Sequence, residues 1–120
     1  MHPAKILLLE DEPVIALDLL LQLEDYGFVV LSATDTEEAV QLCALQQPAL
    51  ALLNFYHKGN ANGIVLARAL QEICPIKILF ITGARNKDLE AAPRFAAHDD
   101  VLFKPFTRQQ FRVALSKFIP

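Results

Sequence analysis

Four short apolar runs in this 120-residue chain each stop on a polar residue able to do chemistry. Residues 6–9 stop at Glu10, Asp11 and Glu12. Residues 50–53 stop at Asn54, 78–81 at Thr82, and 101–103 at Lys104 followed by Pro105. Runs of this kind read as buried parallel strands, and the carboxyl ends of parallel strands share one edge, where ligands bind. Acids, an amide, a hydroxyl and an ammonium then converge on one place. Paired acids such as Glu10 and Asp11 suit a hard cation such as Mg²⁺. Lys104 and Thr82 suit a phosphoryl group. The centre of such a site calls for a nucleophilic carboxylate, and the chain has the carboxamide of Asn54 there.

The elements that position these residues alternate along the chain. Strands are expected over 4–9, 28–33, 50–53, 77–81 and 101–103. The first helix begins with Pro13 at its N1 position and runs to about Tyr26, with Gly27 at its C-terminal cap. Thr34 or Asp35 caps the second, with Glu37 and Glu38 in its first turn, and Pro48 ends that segment. The third covers 64–73 after a turn-rich loop over 57–63. The fourth, over 86–97, is weak because Pro93 interrupts it. Thr107 caps the fifth, which carries Phe111, Ala114, Leu115 and Phe118 at helical spacing. The pattern is (βα)₅, an α/β domain with a doubly wound five-stranded parallel sheet.

Composition narrows the function. With 53% apolar and 21% charged residues the chain is globular, and its length suits a single domain over 1–120. The net charge of −3 and the lack of a Lys/Arg cluster argue against nucleic acid. The longest apolar helical stretch, 14–23, is interrupted by Asp18 and Gln22 and is far short of a membrane span. No signal peptide is visible at the start, and Cys43 and Cys74 read as buried reduced thiols without metal spacing, so a cytoplasmic location is expected.

Leu7-Leu8-Leu9-Glu10-Asp11-Glu12-Pro13, Leu52-Leu53-Asn54, Ile81-Thr82-Gly83 and Lys104-Pro105-Phe106 together resemble the receiver domain of bacterial two-component response regulators. The resemblance covers essentially the whole chain, with the four motifs in order and at suitable separations. It implies the flavodoxin-like strand order 2-1-3-4-5 and a signalling module, not an enzyme. It implies that Glu10 and Asp11 form the acidic pair, with Asp11 a direct Mg²⁺ ligand and the backbone carbonyl of Tyr56 another. It implies that Thr82 bonds a phosphoryl oxygen, that Lys104 pairs with the acceptor and the phosphate, and that the Lys104–Pro105 bond is cis. The implied partners are a sensor histidine kinase or a histidine phosphotransfer protein, with no output domain after 120.

Two positions depart from the family pattern. The acceptor is Asn54, a neutral and very poor nucleophile with no carboxylate to become an acyl phosphate. Val101 stands where the family often has an aromatic ring that turns inward with the phosphate. Mg²⁺ binding is then expected to be weak, with Lys104 released towards Glu10 or Asp11. Two origins of Asn54 stay open: a natural pseudo-receiver, or a substitution that blocks phosphorylation of a natural Asp. A flavodoxin or an Asp-nucleophile phosphatase of similar topology is the alternative. The first wants a Ser/Thr/Gly-rich loop after strand 1, the second an Asp-x-Asp element, and the chain has Glu10-Asp11-Glu12.

The first helix carries a second signal. Between 14 and 23 its polar positions are only Asp18 and Gln22, one narrow stripe. A helix on a sheet needs an apolar arc of roughly 100° or somewhat more, so the surplus leucines suggest a partner surface. Leu17 and Leu21, with Pro105 and Phe106 of the last strand–helix loop, are the expected contacts for a kinase's helical bundle or a second copy of the chain.

Overall fold

A computed structural model describes residues 4–54, 63–83 and 99–119. Five strands form one parallel sheet: β1 (Lys5–Leu9), β2 (Val29–Ala33), β3 (Leu50–Asn54), β4 (Lys77–Thr82) and β5 (Asp99–Phe103). Their order is β2-β1-β3-β4-β5, as expected. Four helices lie among the described residues: α1 (Pro13–Asp25), α2 (Thr36–Gln46), α3 (Gly63–Ile73) and α4 (Arg108–Ser116). The expected helix over 86–97 lies outside the described residues, so α4 is the helix that Thr107 caps.

Period-two alternation along the strands splits the core in two. Leu7, Leu9, Ala51, Leu53, Ile78 and Phe80 face Ala39 and Cys43 of α2 and Leu66, Ala67 and Leu70 of α3. Ile6, Leu8, Leu50, Leu52, Leu79 and Ile81 face Leu19 and Leu23 of α1 and Phe111, Ala114 and Leu115 of α4. Because β1, β3 and β4 are covered on both faces, their sequences are continuous apolar runs rather than alternating ones. Each fully buried Leu or Ile contributes roughly 1.5–3 kcal/mol, which explains why these three strands fix the sheet.

Local signals set the element ends. Pro13 occupies the first turn of α1, and Gly27 supplies the positive φ of 92° that turns the chain into β2. Asp35, not Thr34, caps α2: its carboxylate accepts from the Glu38 N–H at 2.8 Å, while Glu38 reaches back to the Thr34 N–H at 2.7 Å. Thr107 and Gln110 form the reciprocal pair at the start of α4. β3 and β4 each run one residue further than expected. Asn54 pairs with Ile81 and Thr82 with Phe103, so both residues belong to the ladder. No described helix is long and apolar enough to cross a membrane.

The expected polar stripe of α1 is turned differently. Gln22 is buried, while Leu17 and Leu21 are 56% and 53% exposed. Leu19 and Leu23 take the inward face, and Gln22 flanks Leu19 on the side away from Leu23. Gln22 Nε2 donates to Asp18 Oδ2 at 2.9 Å, but its Oε1 is buried with no hydrogen-bond partner among the described residues. Cys74 lies just past the end of α3.

Candidate functional site

The carboxyl edge of the sheet gathers most of the expected residues. β1 ends at Leu9 and delivers Glu10, whose side chain is only 1% exposed, then the exposed Asp11 and Glu12. β3 ends on Asn54, which is 8% exposed, and β4 on the fully buried Thr82. β5 hands the chain to Lys104, whose backbone N–H donates to the Thr82 carbonyl at 2.8 Å. That bond holds the start of the β5–α4 connection against the neighbouring strand. The Lys104–Pro105 bond is cis, as the resemblance implies.

Asn54 presents its amide nitrogen to the acids. Nδ2 donates to Asp11 Oδ1 at 2.7 Å and, at the limit of a hydrogen bond, to Glu10 Oε1 at 3.5 Å. The opposite orientation would set a carbonyl oxygen against a carboxylate oxygen, two acceptors with no proton between them. Lys104 Nζ pairs with Glu10 Oε1 at 3.1 Å and with Glu12 Oε1 at 3.3 Å. The expected turn of Lys104 towards Glu10 is present. Its second partner is Glu12 rather than Asp11, because Asp11 accepts the Asn54 amide. Glu12, the third acid of the run after β1, is not among the expected ligands and joins the site through Lys104.

Glu10 is the electrostatic centre of this cluster. Its Oε1 accepts from Lys104, from the Glu12 N–H at 3.2 Å and from Asn54. Its Oε2 is buried and has no hydrogen-bond partner among the described residues. Burial pushes the Glu10 carboxyl above its ordinary value, and the Lys104 ammonium pulls the other way without cancelling it. Tyr56, expected to give a backbone ligand, lies outside the described residues. Val101 pairs with Phe80 across the β4–β5 ladder and packs, partly buried, against the core shared by α2 and α3.

A divalent cation fits this donor set in kind. Glu10 and Asp11 are hard oxygen donors, and Oε2 of Glu10 has no hydrogen-bond partner among the described residues. The same acids, however, already face the Nδ2 donor of Asn54 and the Lys104 ammonium. No group of three or more His, Cys, Asp or Glu side chains able to hold a metal occurs among the described residues.

Leu17 and Leu21 line the outer face of α1 with Val14, which is 82% exposed. Glu12, Ile15 and Asp18 meet Lys104, Pro105 and Phe106 in a shallow groove between α1 and the β5–α4 connection. Phe106 stacks obliquely on Phe111, with ring centroids 5.8 Å apart, so its inner edge is core and the rest faces the groove.

A family model described as the response regulator receiver domain matches residues 6–116. The aerobic respiration control protein ArcA of Escherichia coli is 30% identical over 113 residues, covering 94% of this chain and 47% of that protein. The transcriptional regulatory protein PdtaR of Mycobacterium tuberculosis is 34% identical over 108 residues, covering 88% of this chain and 51% of that protein. The chain thus spans about half the length of the curated relatives it matches. The crystal structure of a response regulator receiver protein from Sinorhizobium medicae superposes with a TM-score of 0.82 at 28% identity, covering 98% of this chain and 94% of that one.

The raised Glu10 value makes a pH prediction. Below the ordinary value of 4.5 both folded and unfolded chains hold the proton, and the stabilisation linked to the raised value is fully present. It is lost as pH rises through the folded-state value. Glu10→Gln keeps the shape and removes the titration. Urea midpoints measured from about pH 4 to about pH 7 should therefore shift in favour of the variant as pH rises. Parallel profiles for the two proteins would refute the assignment.

Proposed function

We propose that this chain, which belongs to the response regulator receiver domain family of two-component signalling, docks a sensor histidine kinase or a histidine phosphotransfer protein without taking a phosphoryl group from it. The observation that carries the reading is the 2.7 Å bond from Asn54 Nδ2 to Asp11. At the end of the central strand, where an attacking oxygen is needed, the chain presents an N–H donor. The amide nitrogen lone pair is delocalised into the carbonyl, and the amide oxygen carries no full charge. Neither atom can displace a phosphorylated imidazole and leave a stable acyl phosphate. Thr82 at the end of the neighbouring strand β4 and Lys104 just past β5 are the proposed phosphate contacts.

Mg²⁺ would be held weakly, by Glu10, Asp11 and the carboxamide oxygen of Asn54. The cation adds positive charge against the phosphate of an incoming donor. Docking would use the outer face of α1 and the adjoining groove. Leu17, Leu21, Pro105 and Phe106 supply its apolar contacts, and Glu12 and Lys104 line the wall nearest the site. A helix from the partner packs on such a surface by ridges and grooves.

Incubation with acetyl phosphate and Mg²⁺, read by intact mass, should leave the chain unlabelled and should label Asn54→Asp by one phosphoryl group. Labelling of the parent chain overturns the reading, and an unlabelled Asn54→Asp means that Asp11, Thr82 and Lys104 do not form the site.

Titration with Mg²⁺ should show the parent binding more weakly than Asn54→Asp by about 1–3 kcal/mol, the Coulomb loss of one charge near the ion at an effective dielectric close to 20. Equal affinities count against Asn54 as a ligand.

Leu17→Glu and Leu21→Glu, each at an exposed position, should change stability by no more than about 0.5 kcal/mol. Each should weaken binding to the kinase bundle or phosphotransfer protein by about 1 kcal/mol or more. Unfolding would place these leucines in the core; unaltered binding would remove α1 from the interface; and a change confined to sedimentation of the chain alone would mark a homodimer face instead.

A further inference from the structure

Cys43 and Cys74 lie on the opposite side of the sheet from the docking groove. Cys43 is fully buried in α2, and Cys74, just past α3, is 6% exposed. Their sulfurs are 2.9 Å apart. A disulfide bond needs about 2.0 Å, so less than about 1 Å of approach separates the two states. Two thiolates on one tetrahedral zinc ion sit about 3.8 Å apart, given Zn–S distances of about 2.3 Å, so the pair is too close to share a metal. Cys43 Sγ also lies 3.8 Å from the Leu70 carbonyl as a weak donor. Both are free, buried thiols, as the sequence predicts.

We propose that Cys43 and Cys74 form a redox-active dithiol that a peroxide converts to an intramolecular disulfide, tying α2 to the end of α3. Cys74 is the attacking sulfur, since it alone reaches solvent. Burial pushes the Cys43 thiol up to about 12, so Cys43 stays protonated until it resolves the intermediate. The Cys74 thiolate attacks one peroxide oxygen and the O–O bond breaks. Cys74 becomes a sulfenic acid, and the departing hydroxide takes up the proton that Cys74 released, giving water. The Cys43 sulfur then attacks the Cys74 sulfur, the S–O bond breaks, and a second water leaves with the Cys43 proton. Two thiols lose two electrons and two protons in all, and hydrogen peroxide becomes two waters. The closed loop encloses β3, with Asn54 at its end, and the whole of α3. It also fixes the spacing of the two helices that wall the groove lined by Thr36, Val40, Val65 and Leu66.

The test uses the reduced chain under native conditions. Hydrogen peroxide treatment, followed by maleimide blocking in denaturant and intact mass, should give a loss of about 2 Da and no maleimide adduct. A peptide joining Cys43 to Cys74 should appear, and dithiothreitol should restore both adducts. The proposal is overturned by oxygen accumulating on Cys74 with Cys43 still alkylatable, by disulfides between chains, or by a disulfide that forms only in urea.

Discussion

A carboxamide hydrogen bonded to a pair of carboxylates governs everything else at the carboxyl edge of this sheet. Glu10, Asp11 and Glu12 bring three acids to the end of β1, and an aspartate at position 54 would bring a fourth onto the same spot. Like charges at that distance drive either protonation or capture of a cation. Asn54 removes the problem by donating N–H to Asp11 at 2.7 Å, so a hydrogen-bond donor stands where cationic charge would otherwise be required. Lys104 is then free to divide its ammonium between Glu10 and Glu12. Among the described residues of the site, Glu10 Oε2 is the buried oxygen left without a hydrogen-bond partner, and burial raises the Glu10 carboxyl.

The same weighing of burial against partners explains α1. Leaving Gln22 Oε1 buried and unpartnered costs about 1–3 kcal/mol, and Leu17 and Leu21 lose the stabilisation that burial would give. Rotating the helix to bury those leucines would expose Leu19 and Leu23, which anchor it to the sheet through the second core. More apolar side chains surround α1 than one helix–sheet contact can cover. An outward stripe of Val14, Leu17 and Leu21 is what the surplus leaves, and it runs beside the groove that Lys104 and Phe106 share.

The fold was legible because β1, β3 and β4 are built on continuous apolar runs and three of the four described helices carry a start signal of their own: Pro13, Asp35 and Thr107. The site was legible because those runs end on Glu10, Asn54, Thr82 and Lys104. Strand ends were less so: a polar side chain looks like a stop, yet the backbones of Asn54 and Thr82 are paired in the ladder whatever their side chains do. Glu12 was missed because an acid before a helix is favoured there anyway, and only the direction of Lys104 gives it a partner. The burial of Gln22 was not legible because a periodic pattern does not tell which arc of a nearly all-apolar helix faces the sheet. The 2.9 Å approach of Cys43 and Cys74 depends on how α2 and α3 lie across one sheet face, which spacing along the chain does not encode.

The site and the proposed docking surface are not separate places. Glu12 and Lys104 belong to both: they form an ion pair at 3.3 Å, and they line the groove beside Ile15, Pro105 and Phe106. Lys104 is fixed on its other side by its backbone bond to the Thr82 carbonyl, and three residues later Thr107 starts α4 with a reciprocal cap. So short and tethered a connection gives the ammonium little freedom except among the acids within its reach. Which acids it chooses depends on the charge at position 54. With a carboxamide there it leans out to Glu12, at the wall of the groove; with a carboxylate it would gain a partner inside. A partner seated in the groove therefore meets different charges according to a single atom, oxygen or nitrogen, at the end of β3.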